Sequence, residues 1–287
     1  MDKRIVFSSE ERGVWIREIC RVRECVEANA YSGCCVEIVL PEGMAPDTIQ
    51  PVHLVTLACL VQSIRKQGIL QGRITGNEEL IKYMREMLHL DVYFSMNTPH
   101  IQSESSLDLN LWKVSSQNYL LYSAHVADYL KRNYFTNKDL SALKVVLDEL
   151  YANIADHADA DGIAYSFIKY DIVAETIRVA FCDFGIGIRQ SLVRAGHDVD
   201  IEFIRYAVKK GVTSGSSTHN RGFGLDTVVS YADKIRIMSG REFFYSDFAS
   251  DYERTWNLDF EFSGTLIYFD LPVSRFDEAD YLDEMEL

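Results

Sequence analysis

The chain has 287 residues, enough for two domains of about 100–150 residues each. Hydrophobic residues make up 47% and charged residues 25%, a composition that predicts a folded globular protein and excludes disorder over most of the length. The net charge of −14 disfavours nucleic-acid binding, because so acidic a chain repels the phosphate backbone. A basic or dipolar protein partner is easier to accommodate.

The chain opens on Met1-Asp2-Lys3-Arg4 and not on an apolar signal segment. Its longest apolar stretch, residues 54–61, is too short to span a bilayer, so no membrane association is expected. The cysteines form neither a CxxC pair nor a cluster with zinc spacing. We therefore expect free thiols in the reducing cytoplasm. The cysteines are Cys20, Cys25, Cys34, Cys35, Cys59 and Cys182.

Strand and helix patterns alternate over residues 1–105 and predict a parallel α/β unit. Strands are predicted at 34–40 and 70–75, after a strand-like run at the start, and helices at 17–28, 53–66 and 77–88, the last capped by Asn77. The order resembles the STAS-like domains of bacterial anti-sigma-factor antagonists over residues 30–95. In that family a Ser or Thr before the helix that follows the central strand is phosphorylated, and Thr48 is the matching candidate here. We expect a STAS-like docking or dimerisation domain.

A polar stretch at residues 96–109 predicts a boundary, followed by a second domain at residues 106–275 and an acidic tail at 276–287. Predicted elements of the second domain are helices at 117–132, 137–157, 189–195, 201–209 and 223–232 and strands at 163–170, 176–182, 234–239 and 265–271.

A helix in the second domain carries a row of polar side chains. Glu149, Asn153 and His157 recur every four residues and so share one helix face. Burying them in an otherwise apolar helix is costly unless they have partners. A triphosphate with a cation would supply partners, since an Asn oxygen suits Mg²⁺ and a Glu can orient or deprotonate water. A solvated polar stripe is the alternative interpretation.

The second candidate segment, Asp183-Phe184-Gly185-Ile186-Gly187, directly follows a predicted strand. A carboxylate at a strand end can accept a hydrogen bond from an exocyclic amine such as adenine N6. The two glycines allow the backbone to approach a flat ring closely. A simple turn after a strand is the alternative.

The third candidate segment is a helix that opens on glycines, Arg221-Gly222-Phe223-Gly224-Leu225. The first N–H groups of such a helix form an anion site suited to phosphates. The preceding Ser/Thr-rich run, residues 211–220, is long enough for a lid. A flexible surface loop before a glycine-capped helix is the alternative.

The order of these segments resembles the GHKL superfamily of ATPases, which includes the gyrase and histidine-kinase types. The matching motifs are its N box at 149–157, its G1 box at 183–187, its G2 box at 221–225 and a final Gly264-Thr265 element. The resemblance covers most of residues 115–273. It implies an α/β fold in which a STAS-like domain precedes a GHKL (Bergerat) α/β sandwich with a mixed sheet. The N box is typical of the anti-sigma-factor serine kinase branch.

The resemblance implies ATP and Mg²⁺ as cofactors and a role for each matched residue. Glu149 is the implied catalytic carboxylate, Asn153 the implied Mg²⁺ ligand and Asp183 the implied adenine-reading carboxylate. The other implied ATP contacts are Gly185, Gly187, Thr213, Ser214, Arg221, Gly222, Phe223, Gly224, Leu225 and Thr265.

These motifs leave the reaction open. An ATP-hydrolysing or ATP-switched regulator that acts through a protein partner is the first interpretation. An anti-sigma-type serine/threonine kinase that phosphorylates a STAS-like protein, and a non-hydrolysing ATP-gated scaffold, are alternatives. A sensor histidine kinase would need a phosphoacceptor such as His125 on a dimerising hairpin, but no second hairpin helix precedes it. The expected partner is a STAS-like or effector protein, and many relatives form homodimers.

Overall fold

The computed structural model describes residues 2–88, 108–113, 119–157, 163–209, 212 and 225–279. These residues form a mixed α/β structure with two separate sheets. In this part of the chain, no helix combines the length and apolar character needed to cross a membrane. All six cysteines are free, as the sequence predicts. The predicted boundary at 96–109 falls mainly outside the described residues.

The first sheet belongs to residues 2–88, here called the N-terminal unit. Its strands β1 (Asp2–Val6), β2 (Cys35–Val39) and β3 (Gln71–Thr75) lie in that order and are all parallel. Ile38 pairs with Ile5 on one side and with Ile74 on the other, and β-branched side chains suit this pleated surface. The predicted parallel arrangement is confirmed.

Helices α1 (Arg12–Glu27) and α2 (Pro51–Lys66) connect these strands, and α3 (Glu78–Glu86) follows the third. The predicted cap at α3 is confirmed, because the Asn77 side chain accepts hydrogen bonds from two N–H groups of its first turn. Every residue from 51 to 61 is buried, so α2 is covered on all sides over its first three turns. A helix this buried must be packed between two layers.

The second sheet has five strands in the order β4-β5-β6-β8-β7. The strands are β4 (Asp108–Lys113), β5 (Ala164–Asp171), β6 (Thr176–Asp183), β7 (Lys234–Asp247) and β8 (Tyr252–Pro272). All four pairings are antiparallel, so the prediction of a mixed sheet is wrong. The reason lies in β8, which inserts between β6 and β7 and runs against both, so the helical crossover that joins β6 to β7 does not create a parallel pair.

The hairpin formed by β7 and β8 is much longer than the predicted strands at 234–239 and 265–271. Pairing continues past an irregularity near Gly240, which has a φ of 57°, and ends where Asp247 faces Tyr252. Such a bulge interrupts the alternation of side chains that predicts strands. The extension positions Glu242, whose buried carboxylate accepts hydrogen bonds from the N–H groups of Phe203 and Ile204.

In the part of the chain that the structure describes, five helices cover one face of the second sheet. They are α4 (Tyr119–Asn133), α5 (Ser141–His157), α6 (Gly187–Arg194), α7 (Phe203–Ala207) and α8 (Leu225–Tyr231). Helices α1 and α2 cover the opposite face, and one hydrophobic core joins them to it. Helix α2 therefore lies between the two sheets. This shared core includes Trp15, Ile19, Leu57, Cys59, Tyr165, Phe167, Cys182 and Leu266.

Candidate functional site

Glu149 lies on α5, which is held against the sheet by buried leucines such as Leu147 and Leu150. Burial, followed by the negative charges of Asp148 and Asp226, raises the pKa of Glu149 to about 7. Asp226 belongs to the first turn of α8, which contacts α5. A carboxyl group with this pKa can accept and release a proton at neutral pH, as a general base must.

The neighbouring carboxylate of Asp148 has a structural role. It accepts a hydrogen bond from the Ser123 hydroxyl of α4 and forms an ion pair of 2.7 Å with Lys144. The first contact ties α4 to α5, whereas Lys144 lies one turn before Asp148 on α5 itself. Of the two adjacent acidic residues, Glu149 is therefore the one available for chemistry.

The Asn153 side chain, one turn beyond Glu149, has a buried amide nitrogen without a hydrogen-bond partner among the described residues. An unpaired buried amide is costly, and such groups often mark a ligand site. Rotation of the amide exchanges Oδ1 and Nδ2, so the position can offer a donor to a phosphate oxygen or an oxygen to Mg²⁺. In the described part of the chain, no group of three His, Cys, Asp or Glu side chains could hold a metal alone. A magnesium ion here would therefore need phosphate and water oxygens besides Asn153.

Asp183, the last residue of β6, is only 2% exposed. Its Oδ1 accepts a hydrogen bond of 2.8 Å from the Gly185 N–H, and its carboxylate also accepts one from Thr265, its partner in the sheet. Burial nevertheless raises the pKa of Asp183 to about 6, against the opposing effects of these hydrogen bonds and of Arg23. The structure thus brings Asp183, Gly185 and Thr265 together.

Two glycines allow the close packing beneath this turn. Gly264 has a φ of 105°, and a side chain there would overlap the Asp183 carbonyl oxygen. Gly187, with a φ of 78°, would bring a Cβ within 2.7 Å of Ser239 Oγ. The buried Ser239 hydroxyl donates to the Gly264 carbonyl and accepts from the Ile188 N–H, at 2.7 and 2.9 Å. The turn after β6 is therefore held in one conformation by the β7–β8 hairpin.

Alternation along β6 places the Asp183 side chain on the face that carries α5. Phe181 belongs to the core on that face, and residues two apart on a strand point to the same side. The Tyr151 ring of α5 packs edge-on against the Phe181 ring with centroids 4.9 Å apart. Helix α5, which carries Glu149 and Asn153, therefore lies on the side of the sheet to which Asp183 points. Among the described residues, no hydrogen bond or ion pair joins Asp183 to Glu149 or Asn153.

Arg23 of α1 contacts the candidate site from the N-terminal unit. Its guanidinium donates to the carbonyls of Ser263 and Phe184, the latter at 3.3 Å, and lies 4.1 Å from the centre of the Phe184 ring. Its side chain is 13% exposed and pairs with Glu27 at 3.1 Å. Sequence reasoning missed Arg23 because 161 positions separate it from Phe184, and no local pattern marks it.

The remaining predicted site residues divide into two groups. Leu225 begins α8, and Gly187 begins α6. The other predicted residues of the lid and the phosphate cradle lie outside the described residues, so their roles stay predictions. These residues are Thr213, Ser214, Arg221, Gly222, Phe223 and Gly224.

Two comparisons of the sequence with known proteins bear on this site. No protein-family model matches the chain. No curated protein matches its sequence either. The chemistry of the site is therefore inferred from the geometry of its own residues and from the motifs they form.

Proposed function

We propose that this chain is a GHKL-type protein that binds Mg-ATP and acts as a regulatory switch through a protein partner. The buried carboxylate of Asp183 is the observation that supports this most. It stands at a strand end, it is braced by Gly185 and Thr265, and glycine packing leaves it little freedom to move. Such a fixed acceptor suits the exocyclic amine of adenine.

The chemical roles follow from the positions of three side chains. Asp183 would accept a hydrogen bond from adenine, and Asn153 would contribute to a magnesium site at the phosphates. Bound Mg²⁺ would neutralise charge on the phosphate oxygens. Glu149, with its pKa near 7, would take a proton from the water that attacks the γ-phosphorus as the bond to the bridging oxygen breaks.

Nucleotide binding is tested by calorimetric titration of the purified full chain with Mg-ATP. We expect one site per chain, and we expect Asp183→Asn to weaken binding by about a hundredfold. The carboxylate accepts from Gly185, Thr265 and the adenine amine, so an amide in its place would direct an N–H at one of these donors. Asp259→Asn is the matched control, because Asp259 is exposed and pairs with Arg17. Absence of binding in the wild type, or equal binding by the Asp183 variant, would refute the proposed site.

The reaction is tested separately from binding. Released phosphate that disappears in Glu149→Gln, while ATP binding persists, would identify an ATPase. Transfer of the labelled γ-phosphate to a serine or threonine of a STAS-like protein would identify the kinase alternative instead. Binding without either reaction would leave the ATP-gated scaffold.

A regulatory output is supported by the contact between the two halves of the chain. Arg23 touches the turn that follows Asp183, and Cys59 Sγ of α2 lies 3.3 Å from the carbonyl oxygen of Cys182. A conformational change at the turn formed by residues 183–187 would therefore act directly on α1 and α2. We propose that the STAS-like N-terminal unit transmits this change to the partner.

A further inference from the structure

A cavity of about 250 Å³ lies between the N-terminal unit and the second sheet. Its walls come from the first turns of α1 and α2 and from strands β6, β7 and β8. The cavity lies where Arg178 of β6 pairs with Asp270 of β8. The candidate site lies where Asp183 pairs with Thr265, five residues further along β6. At about 3.4 Å per residue the two lie roughly 17 Å apart. The cavity is therefore separate from the site described above.

Positive charge is concentrated in this cavity. Four cationic side chains line it against one carboxylate, that of Asp270, in a chain whose net charge is −14. The four are Arg12, Arg178, Lys234 and Arg236. Two further carboxylates lie at the margin, where Asp171 pairs with Arg178 at 2.8 Å and Asp247 approaches Lys234 at 4.0 Å. Even with both counted, the cations outnumber the carboxylates, which predicts a local positive potential.

Two of the arginines are held in place by an aromatic ring. The guanidinium groups of Arg12 and Arg236 lie 5.7 and 5.4 Å from the centre of the Tyr268 ring. Arg236 also lies 5.1 Å from the ring of Tyr245, and its side chain is only 16% exposed. Stacking of this kind restricts the guanidinium and prepares its donors for a planar or tetrahedral anion.

Arg12 has no ion-pair partner among the described residues, although it lies beside a cavity with a carboxylate in its wall. Asp270 is instead shared by Arg236 at 3.6 Å and Arg178 at 3.9 Å. The first turn of α2, which also lines the cavity, contains no acidic residue that would offset its positive end. Charge in the cavity is thus left for an anion to balance.

We propose that this cavity binds a small phosphorylated molecule through its phosphate group. Three guanidinium groups provide the forked donors that suit a multiply charged phosphate, and the volume allows a diphosphate or a compact sugar phosphate but not a protein segment. Because the ligand would touch both α1 and the strands of the second sheet, its binding would stabilise the contact between the N-terminal unit and that sheet. It would act as an effector that is distinct from the nucleotide.

Inorganic pyrophosphate without magnesium is the probe, titrated into the full chain at constant ionic strength so that general screening does not change. We expect saturable binding and a rise in the thermal midpoint. Arg12→Gln should weaken pyrophosphate binding by about tenfold, because it removes a charge-assisted donor from the cavity. Arg17→Gln is the control, since Arg17 lies on the same helix but pairs with Asp259 outside the cavity.

A second variant and a second ligand make the result decisive. Lys234→Gln should weaken pyrophosphate binding in the same direction, which covers the case in which the Arg12 variant fails to fold. Both variants should bind Mg-ATP as the wild type does, so failure of the nucleotide proposal and failure of this one are distinguishable. Equal pyrophosphate binding by wild type and both variants, or no binding by the wild type at millimolar concentration, would overturn the proposal.

Discussion

Replacing Arg23 with methionine tests whether the N-terminal unit supports the turn at residues 183–187, which we propose binds the nucleotide. Arg23→Met keeps an apolar stem but removes two hydrogen bonds to carbonyls, the contact with the Phe184 ring and the ion pair with Glu27. Each charge-assisted hydrogen bond contributes about 1.5 kcal/mol, the ring contact about 1 kcal/mol and the ion pair about 0.5 kcal/mol, so the upper bound is about 4.5 kcal/mol. Since burying the guanidinium also costs solvation, we expect the free energy of unfolding to fall by about 2 kcal/mol.

The same variant should bind ATP about tenfold more weakly. Binding would then have to order the turn at residues 183–187, and about 1.4 kcal/mol of that cost would appear in the Kd. Arg23 also lowers the pKa of Asp183, so loss of Arg23 should raise the pH at which ATP affinity declines. A purely structural role would not move this pH. Calorimetric titration between pH 5 and pH 8 measures both effects.

Arg17→Gln is the matched control for this experiment. Arg17 lies on the same helix, is 60% exposed and pairs with Asp259, so its loss should change stability by less than about 0.5 kcal/mol and leave the Kd unchanged. A folded Arg23→Met protein with a Kd within about twofold of the wild type would refute the supporting role. If the wild type itself does not bind ATP, the nucleotide proposal fails instead, while the expected loss of stability remains testable.

Three further predictions concern single residues. Because the pKa of Asp183 is raised from 3.8 to about 6, ATP affinity should decline as pH falls through 6, and calorimetry of Asp183→Asn should show no such decline. Burial, with a smaller effect from Arg12, lowers the pKa of His53 from 6.5 to about 4, so the unfolded chain binds more protons than the folded chain between these values. Stability present above pH 6.5 should therefore be lost on acidification, by about 2 kcal/mol at pH 5 in urea unfolding. Gly264→Ala should lower the thermal midpoint and abolish ATP binding, because its Cβ would overlap the Asp183 carbonyl oxygen.

Each of these predictions has its own contradicting result. A pH profile shared by the wild type and Asp183→Asn would assign the decline to another group. In His53→Gln, the free energy of unfolding should fall less between pH 6.5 and pH 5 than in the wild type. An unchanged dependence on pH would be incompatible with a buried neutral His53. A Gly264→Ala protein with wild-type melting and affinity would mean that the turn tolerates a shift of β8.

The raised pKa of Asp183 also has a consequence for the protein without nucleotide. The folded state binds more protons than the unfolded state between pH 3.8 and about 6, so the stability from this group is present below pH 3.8 and is lost as pH rises. Asp183→Asn should consequently be more stable than the wild type at pH 7. A functional carboxylate kept at the expense of stability is typical of binding sites.

Local sequence patterns were sufficient to predict most elements of this protein. Asn77 does cap α3, the alternating strands and helices at the N-terminus do form a parallel sheet, and Asp183 does end a strand. These features depend on capping groups, hydrophobic periodicity and glycine at turns. Each of these signals involves residues that lie within a few positions of one another in the sequence. For the same reason the candidate site residues Glu149, Asn153 and Asp183 could be named from motifs.

Features that depend on distant residues were decided only by the tertiary structure. The second sheet is antiparallel because β8 inserts between β6 and β7, and no local pattern states which strands pair. The contact of Arg23 with the turn at Phe184 and the cationic cavity around Arg12 and Arg236 each join residues more than 150 positions apart. Sequence therefore predicted which residues could carry the chemistry of the site, whereas packing of α1 and α2 against the second sheet decided what surrounds them.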